Sequence, residues 1–193
     1  MPRDPNYEVV AVGLNQWAIA NRWSTGKHDA APMTFADKRQ KREFSKVSKV
    51  RLATSGLSGC IAVGLLSDDK FCLMHVYSDC NKTNWPEYNE RMAECASRMG
   101  QITDAFVGYS DDVDLKNETY SLVSEWVGKV TTSVECSKVG GAVQMRPATD
   151  RVSFDAADKD DYVDASAVKD AGTFVKSSGW LSAKAEAEAA AEQ

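Results

Sequence analysis

The clearest hydrophobic pattern in the chain is the unbroken apolar run Cys60-Ile61-Ala62-Val63-Gly64-Leu65-Leu66, which has the length of a strand buried on both faces. Ser67-Asp68-Asp69-Lys70 follows as a polar connection of hairpin size, and Phe71-Cys72-Leu73-Met74-His75-Val76-Tyr77 returns as a second strand. Paired about that turn, the start of the first strand lies beside the end of the second. Cys60 and His75 therefore meet at one end of the hairpin. Upstream, residues 7 to 14 read as a β-branched strand, which residues 16 to 20 either continue or pair with, and residues 49 to 53 as another, ended by Thr54-Ser55-Gly56. Residues 24 to 46 are polar, charged and proline-bearing, the pattern of a loop or a short surface helix.

The second half changes period. From Trp85-Pro86-Glu87 onward, Tyr88, Met92, Cys95, Ala96 and Met99 recur at helical spacing until Gly100, with Pro86 suited to a first turn. Residues 102 to 109 read as a strand and 110 to 114 as an acidic turn. Asn117 or Thr119 is placed to cap a helix through Val130, with Leu122, Val123, Trp126 and Val130 on its apolar face. Residues 133 to 138 and 143 to 145, around Gly140-Gly141, and residues 151 to 154 are further strands. The pattern predicts an α/β layered domain, a mixed and largely antiparallel β-sheet or sandwich core with helices packed on it. That domain spans residues 1–155. Residues 156–193 are acidic and alanine-rich, a helical or disordered extension with almost no apolar stripe.

Composition narrows the class. A chain of 193 residues with 43% hydrophobic content can bury one full core without metal or disulfide support. A net charge of −5 and a pI near 5.1 argue against nucleic acid as partner, and the basic run from Lys38 to Arg42 reads as a solvated surface. The five cysteines hold no C-x-x-C pair and the two histidines are too few for a zinc site, so neither a metal nor a cofactor is expected. Unpaired thiols in this number suit a reducing compartment; Cys72, Cys95 and Cys136 read as buried small apolar residues. No apolar stretch is long enough for membrane insertion and residues 1–5 lack the apolar core of a secretory signal. The expectation is a cytoplasmic protein, or an effector delivered to a target cell by a route the sequence does not display.

Within this frame the chemistry-bearing residues cluster at the hairpin. A cysteine becomes a nucleophile when a base takes its proton, and His75 on the returning strand supplies one. Attack of such a thiol on a carboxamide carbon releases ammonia after protonation, and water then resolves the thioester. A third group must hold the imidazole ring, and Thr54 lies where a hydroxyl could do so. Small residues before the nucleophile, Ser58 and Gly59, let backbone N–H groups face a developing oxyanion, while Ser78 and Asn84 are near enough in sequence to contact a substrate carboxamide. His28 reads as a surface histidine, Cys80 as a bystander thiol, and the tryptophans as packing residues, with Trp17 and Trp85 candidates to flank the cleft.

At these residues the chain resembles a known superfamily. Thr54, Leu57 and Cys60, with the threonine six positions before the cysteine and a histidine on the next strand, resemble the CheD chemoreceptor glutamine deamidases. Leu57-Ser58-Gly59-Cys60 resembles the L-S-G-C box of the deamidase toxins related to cytotoxic necrotizing factor and Burkholderia lethal factor. The likeness to CheD extends weakly over residues 7 to 155, from Val12-Gly13-Leu14-Asn15-Gln16-Trp17 to Gly140-Gly141 before a strand. Ser58-Gly59 follows the toxins and inverts the CheD order, and the acidic extension has no counterpart. The resemblance implies Cys60 as nucleophile, His75 as base and Thr54 as orienting group in an enzyme that converts a protein glutamine to glutamate. Its partner would be a protein substrate, a chemoreceptor or a target-cell protein. Two alternatives share the residues: a catalytically silent relative that binds a protein partner, and a thiol amidase or peptidase.

Overall fold

The all-apolar run becomes the centre of a layered α/β domain because both of its faces are covered. In the computed structural model, described over residues 7–21, 32–35, 41–43, 49–147 and 152–156, the elements run in chain order as follows. β1 (Tyr7–Ala11), β2 (Gln16–Asn21), β3 (Pro32–Phe35), β4 (Lys41–Glu43) and β5 (Lys49–Ser55) precede the hairpin of β6 (Ile61–Ser67) and β7 (Lys70–Val76). Then come α1 (Trp85–Met99), β8 (Ile102–Tyr109), α2 (Glu118–Val130), β9 (Ser133–Lys138), β10 (Ala142–Pro147) and β11 (Val152–Ala156). One sheet has the order β4-β3-β2-β7-β6-β8-β9 and is antiparallel except for the β8–β9 pair; the other has the order β1-β5-β10-β11 and is antiparallel except for β1–β5.

Strand alternation explains the layers. Ile61, Val63 and Leu65 of β6, with Cys72, Met74 and Val76 of β7, pack under the helices against Tyr88, Met92, Cys95, Val123 and Trp126. Ala62 and Leu66, with Phe71 and Leu73, face the smaller sheet against Leu52, Val143, Met145 and Val152. Gly64 interrupts this second face for a steric reason: a Cβ there would lie 2.8 Å from both Met145 Sδ and the Phe154 ring. The two sheets are in backbone-to-side-chain contact at that point.

α1 stops at Gly100 as its spacing predicts. For α2 the cap is Asn117, whose side chain accepts the Thr119 N–H at 2.8 Å, leaving the Thr119 hydroxyl to donate to the Cys80 carbonyl at 2.6 Å. Three expectations differ. Within residues 24 to 46, read as a loop or a short surface helix, the described residues form strands β3 and β4, because β2 has an open edge whose N–H and C=O groups pair with Met33, Thr34 and Phe35. β2 neither continues β1 nor pairs with it; the turn at Leu14-Asn15 sends the two into different sheets. Cys136 is exposed, not buried, because β9 is the end strand of its sheet among the described residues and its side chains are mostly exposed. Cys72 and Cys95 are buried side by side between β7 and α1. β11 ends at Ala156, and the remainder of the extension and His28 lie outside the described residues. Among the described residues no helix is long and apolar enough to cross a membrane.

Candidate active site

Cys60 sits at the last position before β6, presented by a tight turn. Its N–H donates to the Leu57 carbonyl at 2.9 Å, and Gly59 within the turn has φ +74°, a conformation that a side chain would strain. The Leu57 N–H donates to the Gly141 carbonyl at 3.2 Å and its side chain is fully buried, so the turn is pinned to the smaller sheet. In the hairpin register Ala62 lies opposite His75 and Ile61 opposite Val76. Cys60 therefore shares a face with His75 and is its diagonal neighbour, a relation that puts Cβ atoms about 7 Å apart. That face looks toward the smaller sheet.

From that sheet comes Thr54, on β5. Its Oγ1 lies 2.7 Å from His75 Nδ1 and donates to the Val12 carbonyl at 2.7 Å. A hydroxyl has one hydrogen, and the carbonyl can only accept. The Thr54 proton is committed to Val12, so Nδ1 must carry the proton that Oγ1 accepts. The imidazole is thereby fixed as the Nδ1–H tautomer with a bare Nε2 lone pair. His75 is 3% exposed, and Nε2 is buried without a hydrogen-bond partner among the described residues. Burial pulls its pKa down to about 4, which leaves the ring neutral near pH 7.

The sulfur is held by the loop that follows β7. Ser78 lies beside Gly59 of the turn, and its N–H and hydroxyl favour a thiolate at Cys60; burial, the larger influence, and the Asp79 charge oppose it, so the Cys60 pKa lies above its ordinary value. Thiol and imidazole are both neutral at rest, and no hydrogen bond joins Nε2 to sulfur. The loop is tied down on three sides. The Thr119 hydroxyl holds the Cys80 carbonyl, the Tyr88 hydroxyl donates to the Asp79 carboxylate, and Asn15 Oδ1 accepts the Tyr77 N–H at 3.2 Å.

The structure thus brings Cys60, His75, Thr54, Gly59 and Ser78 together. Ser58 differs from expectation in its side chain, which donates to Asp112 Oδ2 at 2.9 Å on the exposed rim. Its backbone and that of Gly59 remain pertinent, because these two N–H groups of the turn have no acceptor within the described residues. Asn84 is occupied with its own loop, accepting the Asn81 N–H and donating to the Asp79 carbonyl. Trp17 pairs with Met74, so it projects to the helix side, where Arg98 lies over its ring. Trp85 lines a shallow groove with Leu122 and Trp126 between the helices. Neither flanks Cys60. Cys80 is buried and its thiol is pushed up to about 12, as suits a bystander. Sequence reasoning passed over the roles of Val12 and Asn15; Asn15, at φ 55° the one non-glycine residue in the left-handed region among the described residues, leaves only an asparagine between two strands as its signal.

A thiol, an imidazole and a hydroxyl thus lie near one another, drawn from two packed sheets. No protein-family model and no curated protein matches the chain.

Proposed function

We propose that the protein is a cysteine-dependent protein glutamine deamidase, with Cys60 as nucleophile, His75 as general base and acid, and Thr54 as the group that sets the imidazole tautomer. The observation that carries this reading is the bare, buried Nε2 on the face it shares with Cys60, with Nδ1 committed to Thr54. Nε2 takes the thiol proton as sulfur attacks the carboxamide carbon of a glutamine. The oxyanion that forms is received by the turn amides of Ser58 and Gly59 and by the Ser78 donors. The imidazolium returns its proton to the departing nitrogen, which leaves as ammonia, and a thioester remains. Water deprotonated by Nε2 then attacks that carbonyl, releasing glutamate and the free thiol. The partner is a protein carrying the target glutamine, in the producing cell's cytoplasm or in a target cell, as the resemblance to the CheD and toxin deamidases suggests.

A second reading, a silent protein-binding relative, is favoured by the raised Cys60 pKa and by the lack of a hydrogen bond between Nε2 and sulfur. A thiol amidase or peptidase would use the same residues on a different bond. Incubation with candidate protein substrates distinguishes the three. Deamidation releases ammonia and adds about one dalton per site, and a Cys60→Ala protein does neither. Unchanged activity in that variant would remove Cys60 from the mechanism, and backbone cleavage would point to a peptidase.

A further inference from the structure

We propose that Asn15 is a positioning residue for the thiol–imidazole pair: from the turn before β2 it fixes the end of β7, and so aims the two donors of Ser78 at the Cys60 sulfur. Asn15 grips β7 on both sides of Val76. Its own N–H donates to the His75 carbonyl at 3.0 Å, and its side-chain Oδ1 accepts the N–H of Tyr77 at 3.2 Å. The second bond falls one residue before Ser78, at the point where the chain leaves the sheet ladder, and holds the loop from the β2 side while the Thr119 hydroxyl holds the Ser78 and Cys80 carbonyls from α2. Left-handed backbone at φ 55° turns the Asn15 side chain back along the strand it grips, a conformation asparagine tolerates better than most residues. Val12 of the same turn accepts the Thr54 proton. One four-residue segment therefore sets both the tautomer of the base and the donors on the nucleophile.

This inference rests on the pairing of Cys60 with His75 but not on glutamine being the substrate. The charged and titratable groups facing the sulfur's surroundings are His75 from β7, Asp79 from the following loop, and Asp112, which reaches Ser58 from the β8–α2 loop.

The test follows alkylation of Cys60 by iodoacetamide as a function of pH, read on the Cys60 peptide by mass spectrometry so that the other four thiols do not interfere. Asn15→Gly keeps the left-handed turn and the N–H bond to His75 but deletes the acceptor for Tyr77. Its midpoint should rise by roughly half to one pH unit, that is about three- to tenfold slower labelling below the midpoint. Leu14→Ala, an exposed change in the same turn, should leave the profile in place. Ser78→Ala should also raise the midpoint, and the double variant should shift by less than the sum, because both changes act on one set of donors. A folded Asn15→Gly protein whose profile superimposes on the parent's would overturn the proposal, as would full additivity with Ser78→Ala or an equal shift in Leu14→Ala. Absence of ammonia release with these shifts present would count against deamidation alone.

Discussion

Acid should destabilise this protein in part through His75. Its imidazole has an ordinary pKa of 6.5, which burial lowers to about 4 in the fold. The unfolded chain therefore takes up a proton as pH falls through 6.5, whereas the folded chain resists until about 4, so the unfolded state binds more protons between those values and stability drops across that window. At pH 5 the deficit is about 2 kcal/mol, growing to about 3 kcal/mol below the folded pKa. That is a large share of a total stability of about 5–15 kcal/mol. Carboxylates titrate in the same range, so the residue must be isolated by a variant. His75→Asn retains an N–H that can reach Thr54 Oγ1 and cannot be protonated. Urea unfolding of both proteins at about pH 7 and pH 5 gives four free energies, and the parent should lose about 2 kcal/mol more than the variant. Equal losses would mean that His75 is charged or solvated in the fold, and the neutral Nδ1–H tautomer argued from Thr54 would fall with it.

Three further outcomes follow from the packing. Thr54→Val keeps the volume but removes the acceptor for Nδ1–H and the donor to Val12; on the proposed reading, deamidation of any accepted substrate should fall by about a thousandfold or more, with a stability loss of about 2 kcal/mol in denaturant melts. Activity within tenfold of the parent would show that the ring is held otherwise. Gly64→Ala drives a methyl into Met145 and Phe154 and should cost about 1–3 kcal/mol, measured by thermal unfolding, whereas a neutral result would mean that the two sheets separate easily. A bulky maleimide should label Cys136 in the native protein and reach Cys72 and Cys95 only after unfolding, with the order read by peptide mass spectrometry.

Much of this geometry was legible because the hairpin is short and its strands are apolar throughout. A polar break of about four residues leaves little freedom of register, so Cys60 and His75 had to fall at the same end. Thr54 was visible only through its spacing from Cys60, since pairing across two sheets leaves no local trace. Sheet membership of β1 and β2 was not legible: both read as strands separated by a short connection, and the left-handed turn at Asn15 lies where they part. β9 could have been read as an edge from its polar residues, Ser133, Glu135, Ser137 and Lys138; the cysteine among them suggested burial instead. Ser58 was placed correctly in the turn, but its side-chain direction depends on Asp112, which lies 54 residues away. Strand β3 was hidden by its brevity and by Pro32 at its start.

Both members of the central pair are shifted away from ionisation: burial raises the thiol and lowers the imidazole. A thiolate–imidazolium pair is therefore not stored in the resting protein, and the Ser78 donors soften the cost of forming one without removing it. On the proposed deamidase reading, proton transfer then accompanies formation of the sulfur–carbon bond, when the negative charge moves from sulfur to an oxygen within reach of the turn amides. A carboxamide that triggers this proposed step would bring the sulfur proton within reach of Nε2, which is buried and has no hydrogen-bond partner among the described residues. On the deamidase reading, selectivity for a particular protein glutamine follows from the same feature, since small solutes that do not reorganise the site meet an unreactive thiol. The triad also exists only while the sheets are packed together, with Thr54 on one and Cys60 and His75 on the other, so loss of sandwich contacts would remove the base's orientation before it exposed the nucleophile.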